Sequence, residues 1–304
     1  MRRLVYFLLL LLVAAAARAN DNDVQLSKLG HPDALGCTRC DGSASDPVAP
    51  GDPNAQARFH RYASTLGLAF APPFQETAGT LGQAGFEVGF SSSQALLRKD
   101  SASSWAGESA AQPGVLIMPA LVLRKGLGGS LELSAAASWL TNSQMFAVSG
   151  GLKWALIDGL HYVPDLALRV WGTRVLGDRE LDLFTLGADA MLSKNIAVAG
   201  TFELQPYVFG GIAMVNAQTG PIDFKTTAEI EANPSADDDS FHDVKFWQNR
   251  YVRGAAGLRA VFAGVVLGVE GTFAQGTNAI QHASGSPSQM VQLWTVSGRL
   301  GARF

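Results

Sequence analysis

The chain has 304 residues, of which 23 are Lys or Arg and 26 are Asp or Glu, so its net charge is −3. This balance provides no basic field for nucleic acid, and we expect no DNA or RNA partner. Only 16% of the residues are charged and 33 are glycine, a composition that suits curved, closely paired strands not fully surrounded by water.

The first residues have the features of a secretory signal peptide. Two arginines precede an apolar run from Leu4 to Ala17, which ends in the small-residue pattern Ala-Arg-Ala. The run is short for an uncleaved membrane anchor, and a cleavage pattern follows it directly. We therefore predict export, with residues 1–19 removed by cleavage after Ala19. Later apolar stretches are all too interrupted to be helical membrane spans.

Residues 20–80 show no regular alternation of apolar and polar residues and are interpreted as a periplasmic extension. Their first half is rich in Gly, Pro, Asp and Ser. Asp52-Pro53 is a good helix start, and the spacing of the following apolar residues predicts a short amphipathic helix over about 53–66. Because a ten-stranded lumen has little room beside its own side chains, we favour a helix packed under the barrel mouth or on the membrane surface over a luminal plug.

The extension also contains both cysteines, Cys37 and Cys40. A redox motif would need a βαβ context, haem attachment would need a His where Asp41 stands, and a zinc site with His31 would lack a fourth ligand. A local disulfide between Cys37 and Cys40 is the interpretation we favour for an exported protein. No cofactor and no bound metal are expected.

From about Ala84 onward, apolar residues alternate with small or polar ones, which is the period of a β-strand. In the last segment, Trp294 to Phe304, the even positions are apolar and the odd ones include Arg299 and Arg303. A soluble sandwich also alternates, but its polar face carries many Lys, Thr and Glu. Here that face is rich in Gly, Ala and Ser with a few charges of both signs, which suits an enclosed lumen.

Aromatic residues lie near the ends of the apolar faces. Trp294 and Phe304 would be separated by roughly 23 Å along the membrane normal, close to the roughly 25 Å height of an outer-membrane apolar band. We assign an aromatic girdle at the two lipid interfaces to Trp139, Phe146, Trp154, Phe262, Phe273, Trp294 and Phe304.

The closing segment QLWTVSGRLGARF, with alternating apolar positions and the terminal Phe304, resembles the C-terminal signal of Gram-negative outer-membrane β-barrel proteins. The resemblance implies recognition by the outer-membrane assembly machinery through Phe304, and location in the outer membrane in contact with its lipid. It identifies no subfamily and no substrate.

The fold predicted for residues 81–304 is all-β: a single antiparallel transmembrane up-and-down β-barrel of ten strands, with eight or twelve as alternatives. Both chain ends are then periplasmic, and a very tight turn is expected at Ala263-Gly264. One long strand with a bulge near Gln205-Pro206 is expected over 195–216. The predicted strands are 81–92, 114–125, 130–141, 145–157, 165–176, 181–192, 195–216, 248–262, 264–276 and 290–304.

Charged residues on the inward faces are the candidate site. A salt-bridged network that closes the pore is the structural interpretation, and a hydrated path with a mild anion preference is the functional one. The predicted lumen-lining charges are Glu87, Glu132, Lys153, Arg169, Asp189, Glu203, Arg253, Arg259, Glu270, Arg299 and Arg303.

Two functions remain open at this point. The first is a narrow passive channel or small-solute transporter, with the outer loops 93–113 and 217–247 controlling access. The second is a non-conducting structural or adhesion barrel that binds an outside partner through the same loops. The acidic stretch 237–243 is interpreted as a solvated charge run, and no catalytic activity is expected, because paired Asp and His-Asp motifs are not found at separated strand tips.

Overall fold

The computed structural model describes residues 22–30, 32, 54–98, 105–107, 113–160, 162–199, 202–223, 238–278, 280 and 290–304. The predicted signal peptide and the predicted disulfide between Cys37 and Cys40 lie outside these residues, and both remain predictions. Within this part of the chain, no helix is long and apolar enough to cross a membrane.

Ten antiparallel strands form the wall of a barrel, as the sequence predicts. Each strand pairs with the next one along the chain, so the topology is a simple up-and-down meander. The strands are β1 Phe86–Leu96, β2 Val115–Gly126, β3 Leu131–Trp139, β4 Phe146–Ile157, β5 Asp165–Leu176, β6 Leu181–Ser193, β7 Phe202–Thr219, β8 Arg250–Phe262, β9 Val265–Gly276 and β10 Gln292–Arg303.

The barrel closes between its first and last strands. β10 pairs antiparallel with β1 from Glu87 opposite Arg303 to Leu96 opposite Trp294. The backbones of Phe86 and Phe304 extend this seam, since each N–H donates to the other's carbonyl at 3.0 and 2.8 Å. No edge is therefore left at the seam, which satisfies the requirement for a sheet in a bilayer.

The strands present one apolar face to the outside and one enclosed face to the lumen. In β4, for example, burial alternates strictly from Phe146 to Leu156, and Val148 and Trp154 are exposed while Ser149 and Lys153 are buried. An apolar exterior around a closed interior is the inverse of a water-soluble protein and fits contact with lipid.

The two ends of the barrel differ. We call the end that carries Phe86 and Phe304 the turn end, because compact connections such as 127–130 and 263–264 lie there. The Ala263-Gly264 turn has positive φ at both residues, 48° and 85°, as in the type I′ hairpin turns that match strand twist. The opposite, loop end carries the connections 97–114, 140–145, 177–180, 220–249 and 277–291.

The prediction for residues 195–216 is wrong in two respects. The chain does not turn at Lys194-Asn195; β6 continues in the same register as the short strand Ile196–Ala199, which pairs with the start of β7. There is also no bulge at Gln205-Pro206, because the register between β7 and β8 is continuous.

The expected bulge would explain why apolar residues stand at even positions over 196–204 and at odd positions over 207–215, but this change has another cause. Tyr207, Phe209, Ala213 and Val215 all point into the lumen and are buried. Near the loop end, Val215 lies against the N-terminal helix, α1 (Ala55–Ala69), which is inside the barrel. Towards the turn end, Phe209 shares a buried cluster with Ala78, and the Tyr207 hydroxyl donates a hydrogen bond to Glu270.

The preferred placement of the helix outside the lumen is therefore wrong. Phe59 and Leu66 are fully buried, and the carbonyl of Gly67 accepts a hydrogen bond from the inward-facing hydroxyl of Thr185 at 3.3 Å. A Cβ on Gly67 would lie 2.8 Å from the Thr185 Oγ1, so glycine allows the helix to approach the wall. The ten-stranded lumen does have room for a helix beside its own side chains, because small inward residues such as Ala213 leave space.

The remainder of the extension also departs from the prediction. Residues 70–81, which we call the strap, run from the helix through the lumen to the start of β1 at the turn end. Residues 22–30 contact the loop end, where the backbone N–H of Asn22 donates to the Asn142 carbonyl at 3.0 Å. The described parts of the extension thus fill the barrel and emerge at the end opposite Phe304, and do not form a separate unit below it.

Candidate functional site

The strap is enclosed in the lumen for most of its length. Residues 72–78 are all buried, although they form no helix or strand. Pro72 and Pro73 favour an extended backbone and lack N–H groups that would need acceptors in the lumen. The remaining backbone groups must find partners in the barrel wall, because an unpaired buried carbonyl or amide is costly.

Side chains of the wall supply these partners. The Lys153 Nζ donates to the carbonyls of Thr77 and Gly79 at 2.8 and 3.0 Å, and an Arg299 Nη1–H donates to the carbonyl of Phe74. The backbone N–H of Leu81 donates to Glu132 at 2.9 Å. The inward charges therefore hold the strap as well as one another.

The first part of the charged network centres on Arg124 and Glu87. Arg124 donates to Glu132 at 2.9 Å through Nε and to Glu87 at 3.1 Å through Nη1. Glu87 also accepts from Arg259 at 2.7 Å and forms an ion pair with Arg299 at 2.8 Å. These side chains are at most 2% exposed, so each charge depends on its neighbours for solvation.

The second part centres on Asp189. Its Oδ2 accepts hydrogen bonds from Arg169 Nη2 at 2.6 Å and from the Trp171 indole at 2.9 Å. The Arg253 guanidinium lies over the rings of Trp171 and Phe209, at 4.7 and 4.8 Å from their centroids. Cation–π contacts of this kind stabilise a desolvated guanidinium.

Most of the predicted lumen-lining charges meet in these clusters. Glu270 is also buried and accepts a hydrogen bond from the Tyr207 hydroxyl at 2.8 Å. Glu203 and Arg303 are only half-buried and lie near the turn end, where Arg303 stands opposite Glu87 in the β1–β10 pair. The fully enclosed members of the predicted set are Glu87, Glu132, Lys153, Arg169, Asp189, Arg253, Arg259, Glu270 and Arg299.

Two central residues were not among the predicted charges. Arg124 follows a run that is apolar on both faces, so alternation alone did not show which face of β2 is inward. Its side chain shares the inward face of β2 with Leu116 and Met118, which are also buried. Glu76 lies in the non-alternating extension, and no signal in that segment marks it as luminal.

Around α1 the lumen is mainly apolar and aromatic. The Phe59 ring stacks on Phe241 with centroids 4.8 Å apart, and Tyr62 contacts Trp105 edge to face at 5.4 Å. His60 is hydrogen-bonded to the side chain of Asn249, just before β8. Burial lowers the pKa of His60 from 6.5 to about 4, so it is neutral at pH 7.

Residues 22–30 join three connections at the loop end. The backbone N–H of Gln25 donates to the Ala106 carbonyl at 2.7 Å, and that of Leu26 donates to the Glu180 carboxylate at 3.0 Å. Asp23 accepts from the N–H of Gln144 at 2.7 Å. Because Leu26 and Leu29 are fully buried, this segment is packed into the loops and not merely laid over them.

The predicted girdle residues all lie on the outer face, and most are well exposed. Trp139 pairs with Phe146, and Phe273 pairs with Trp294, near the loop end. Three others lie towards the turn end, namely Trp154, Phe262 and Phe304. Among the described residues, no group of three or more His, Cys, Asp or Glu could hold a metal ion.

No protein-family model and no curated protein matches the chain. Solved structures that resemble it include the N-terminal β-barrel domain of Pseudomonas aeruginosa OprF, with 11% identity over 73% of this chain and 99% of that chain and a TM-score of 0.28. Another is the translocator domain of the autotransporter NalP from Neisseria meningitidis, with 10% identity over 83% and 96% and a TM-score of 0.35. A third is the Escherichia coli outer membrane protease OmpT, with 8% identity over 72% and 95% and a TM-score of 0.35.

The fold is that of an outer-membrane β-barrel: ten closed antiparallel strands, an apolar exterior and a charged interior.

Replacing Lys153 with Met tests whether wall charges hold the strap. The change leaves two strap carbonyls and the Glu132 carboxylate without this donor, and we expect the free energy of unfolding to fall by about 3 kcal/mol or more. Urea unfolding of the protein in detergent micelles would measure the loss. Arg174→Met is the control: its 3.0 Å pair with Asp182 is more than half exposed, so less than about 1 kcal/mol is expected. Equal losses in both variants would contradict the assignment.

A second prediction concerns pH. His60 has a lowered pKa in the folded protein, so the unfolded chain binds the extra proton between pH 6.5 and about 4, and stability falls as the pH decreases through this window. The unfolding midpoint of the wild type should fall more steeply over this range than that of His60→Gln. Only the difference in slope is diagnostic, because carboxylates titrate in both proteins. Parallel profiles would show that His60 is not buried as described.

Proposed function

We propose that this protein is a non-catalytic outer-membrane barrel that is closed by its own N-terminal segment and presents that segment with the outer loops to an external partner. The proposal adopts the second of the two functions left open by the sequence. It replaces the open passive channel with a closed state.

The observation that carries the proposal is the filled lumen. Helix α1 occupies the side near the loop end, the strap continues towards the turn end, and residues 72–78 are buried throughout. Wall side chains hydrogen-bond to the strap backbone at 2.8–3.0 Å, so the Lys153 ammonium and the Glu132 carboxylate are engaged and not directed at water in the lumen. A passive channel would require the helix and strap to be displaced first.

The second part of the proposal concerns the exposed end. If Phe304 marks the periplasmic side, the loop end faces outward, and residues 22–30 are displayed there beside the longest connections. The segment is held by Asn142, Ala106 and Glu180 from three separate loops, so it is a fixed part of that surface. A rigid composite surface suits binding, because little conformational entropy is lost when a partner docks.

Planar bilayers test the closed state. We expect the folded wild type to show no conductance steps above bare lipid. In Gly67→Leu, the new side chain would overlap Thr185 and Val215, displace α1 and open the lumen, so conductance steps should appear. Thr65→Leu, at a half-buried helix position, is the matched control and should remain closed. Steady conductance from the wild type would contradict the proposal.

Epitope accessibility tests the orientation. A tag inserted after Gly30 should be detected by antibody on intact cells, because the proposal places this segment outside. The same tag between Gly128 and Gly129, in the β2–β3 connection at the turn end, should be detected only after the outer membrane is permeabilised. The reverse pattern would show that the segment faces the periplasm.

A further inference from the structure

The strap carries one ionisable side chain, Glu76, and it lies against cations of the wall. Arg124 on β2, Lys153 on β4 and Arg169 on β5 approach its carboxylate at 3.8, 3.9 and 3.8 Å. The Ser134 hydroxyl on β3 donates a hydrogen bond to its Oε1. Four consecutive strands thus each direct a donor or cation at this carboxylate, which is fully buried.

The donors are adjacent in the sheet. Arg124 is opposite Ser134 across the β2–β3 pair, and Lys153 is opposite Arg169 across the β4–β5 pair. The group therefore belongs to the wall and does not depend on the strap for its placement. The strap contributes the anion that occupies it and the carbonyls of Thr77 and Gly79, which accept hydrogen bonds from Lys153.

Glu76 leaves part of the hydrogen-bonding capacity of these groups unused. Its Oε2 has no hydrogen-bond partner, and its ion-pair distances exceed the 2.6 and 2.9 Å contacts that Arg169 and Arg124 make with the wall carboxylates Asp189 and Glu132. Charge-assisted hydrogen bonds of full strength have lengths of about 2.7–2.9 Å. A carboxylate free of the strap backbone could approach these donors more closely.

The charge of the surrounding wall also favours an anion. Its six buried cations exceed its five buried carboxylates, so without Glu76 the described wall has a surplus of one positive charge. Some donors of these cations remain unpaired, including Nη1 of Arg253 and Nε of Arg259. The buried cations of the wall are Arg124, Lys153, Arg169, Arg253, Arg259 and Arg299, and its buried carboxylates are Glu87, Glu132, Asp165, Asp189 and Glu270.

We propose that Arg124, Ser134, Lys153 and Arg169 form a carboxylate-binding site in the barrel wall, which Glu76 occupies as a built-in ligand. The proposal rests on the closed state described under the proposed function, in which the strap fills the lumen. A small carboxylate anion takes the place of the Glu76 side chain when that side chain is absent or withdrawn. Such a site gives an opened barrel a selectivity for carboxylate-bearing solutes.

Chemical rescue of the full-length Glu76→Ala variant tests this site. Alanine removes a CH₂–COO⁻ group, which has the heavy atoms of acetate. Glu76→Ala should unfold at a lower urea concentration than the wild type, and acetate should raise its midpoint in a saturable manner, because ligands that bind only the folded state stabilise it. The wild type should not respond. Neutral acetamide and chloride at equal ionic strength should have no comparable effect on either protein.

Two further variants identify the site. Glu76→Gln fills the same volume without charge and should not be rescued by acetate. Glu76→Ala combined with Lys153→Met lacks one donor and should require at least tenfold more acetate.

If Glu76→Ala does not fold alone, its refolding yield in liposomes with acetate is compared with its yield in chloride. Equal yields, including no refolding in either, overturn the proposal. Rescue equal to that by chloride or acetamide also overturns it, whereas wild-type conductance would overturn only the closed state.

Discussion

The structure depends on the pairing of charges that the closed wall removes from water. Cationic and acidic side chains in the lumen have no bulk solvent to compensate them, so each must find a partner in the interior. Some partners are other wall residues, as for Arg124 with Glu87 and Glu132. Others are backbone carbonyls of the strap, as for Lys153. Wall and strap are consequently one hydrogen-bonded unit.

This dependence works in both directions. The strap forms no helix or strand, so its backbone N–H and C=O groups cannot pair with one another and need partners elsewhere in the lumen. Lys153 and Arg299 provide the missing donors at the carbonyls of Thr77 and Phe74. The same cations would be only partly compensated in an empty lumen. Closure of the barrel and retention of the strap are therefore coupled energetically, which supports a resting state that is filled.

Much of the barrel could be predicted from the sequence because alternation with a period of two encodes which face is enclosed. The ten strands, the closing role of Phe304 and the Ala263-Gly264 turn follow from that pattern. The location of the helix did not follow, because it depends on the volume of inward side chains. Near the loop end, the inward apolar residues Ala213 and Val215 were the available signal, because apolar side chains on a luminal face need an apolar partner inside. Interpreting the change of apolar face as a bulge concealed the helix.

The path of the strap constrains how the protein can be assembled. Its chain enters the lumen at one end, leaves at the other and continues directly into β1, whose other edge is sealed against β10. A ring closed beforehand would have to admit helix α1 lengthwise past the inward side chains before the strap could reach its partners. Sealing β1 against β10 around a helix and strap that are already in position avoids this passage. The seam and the interior packing would then form together.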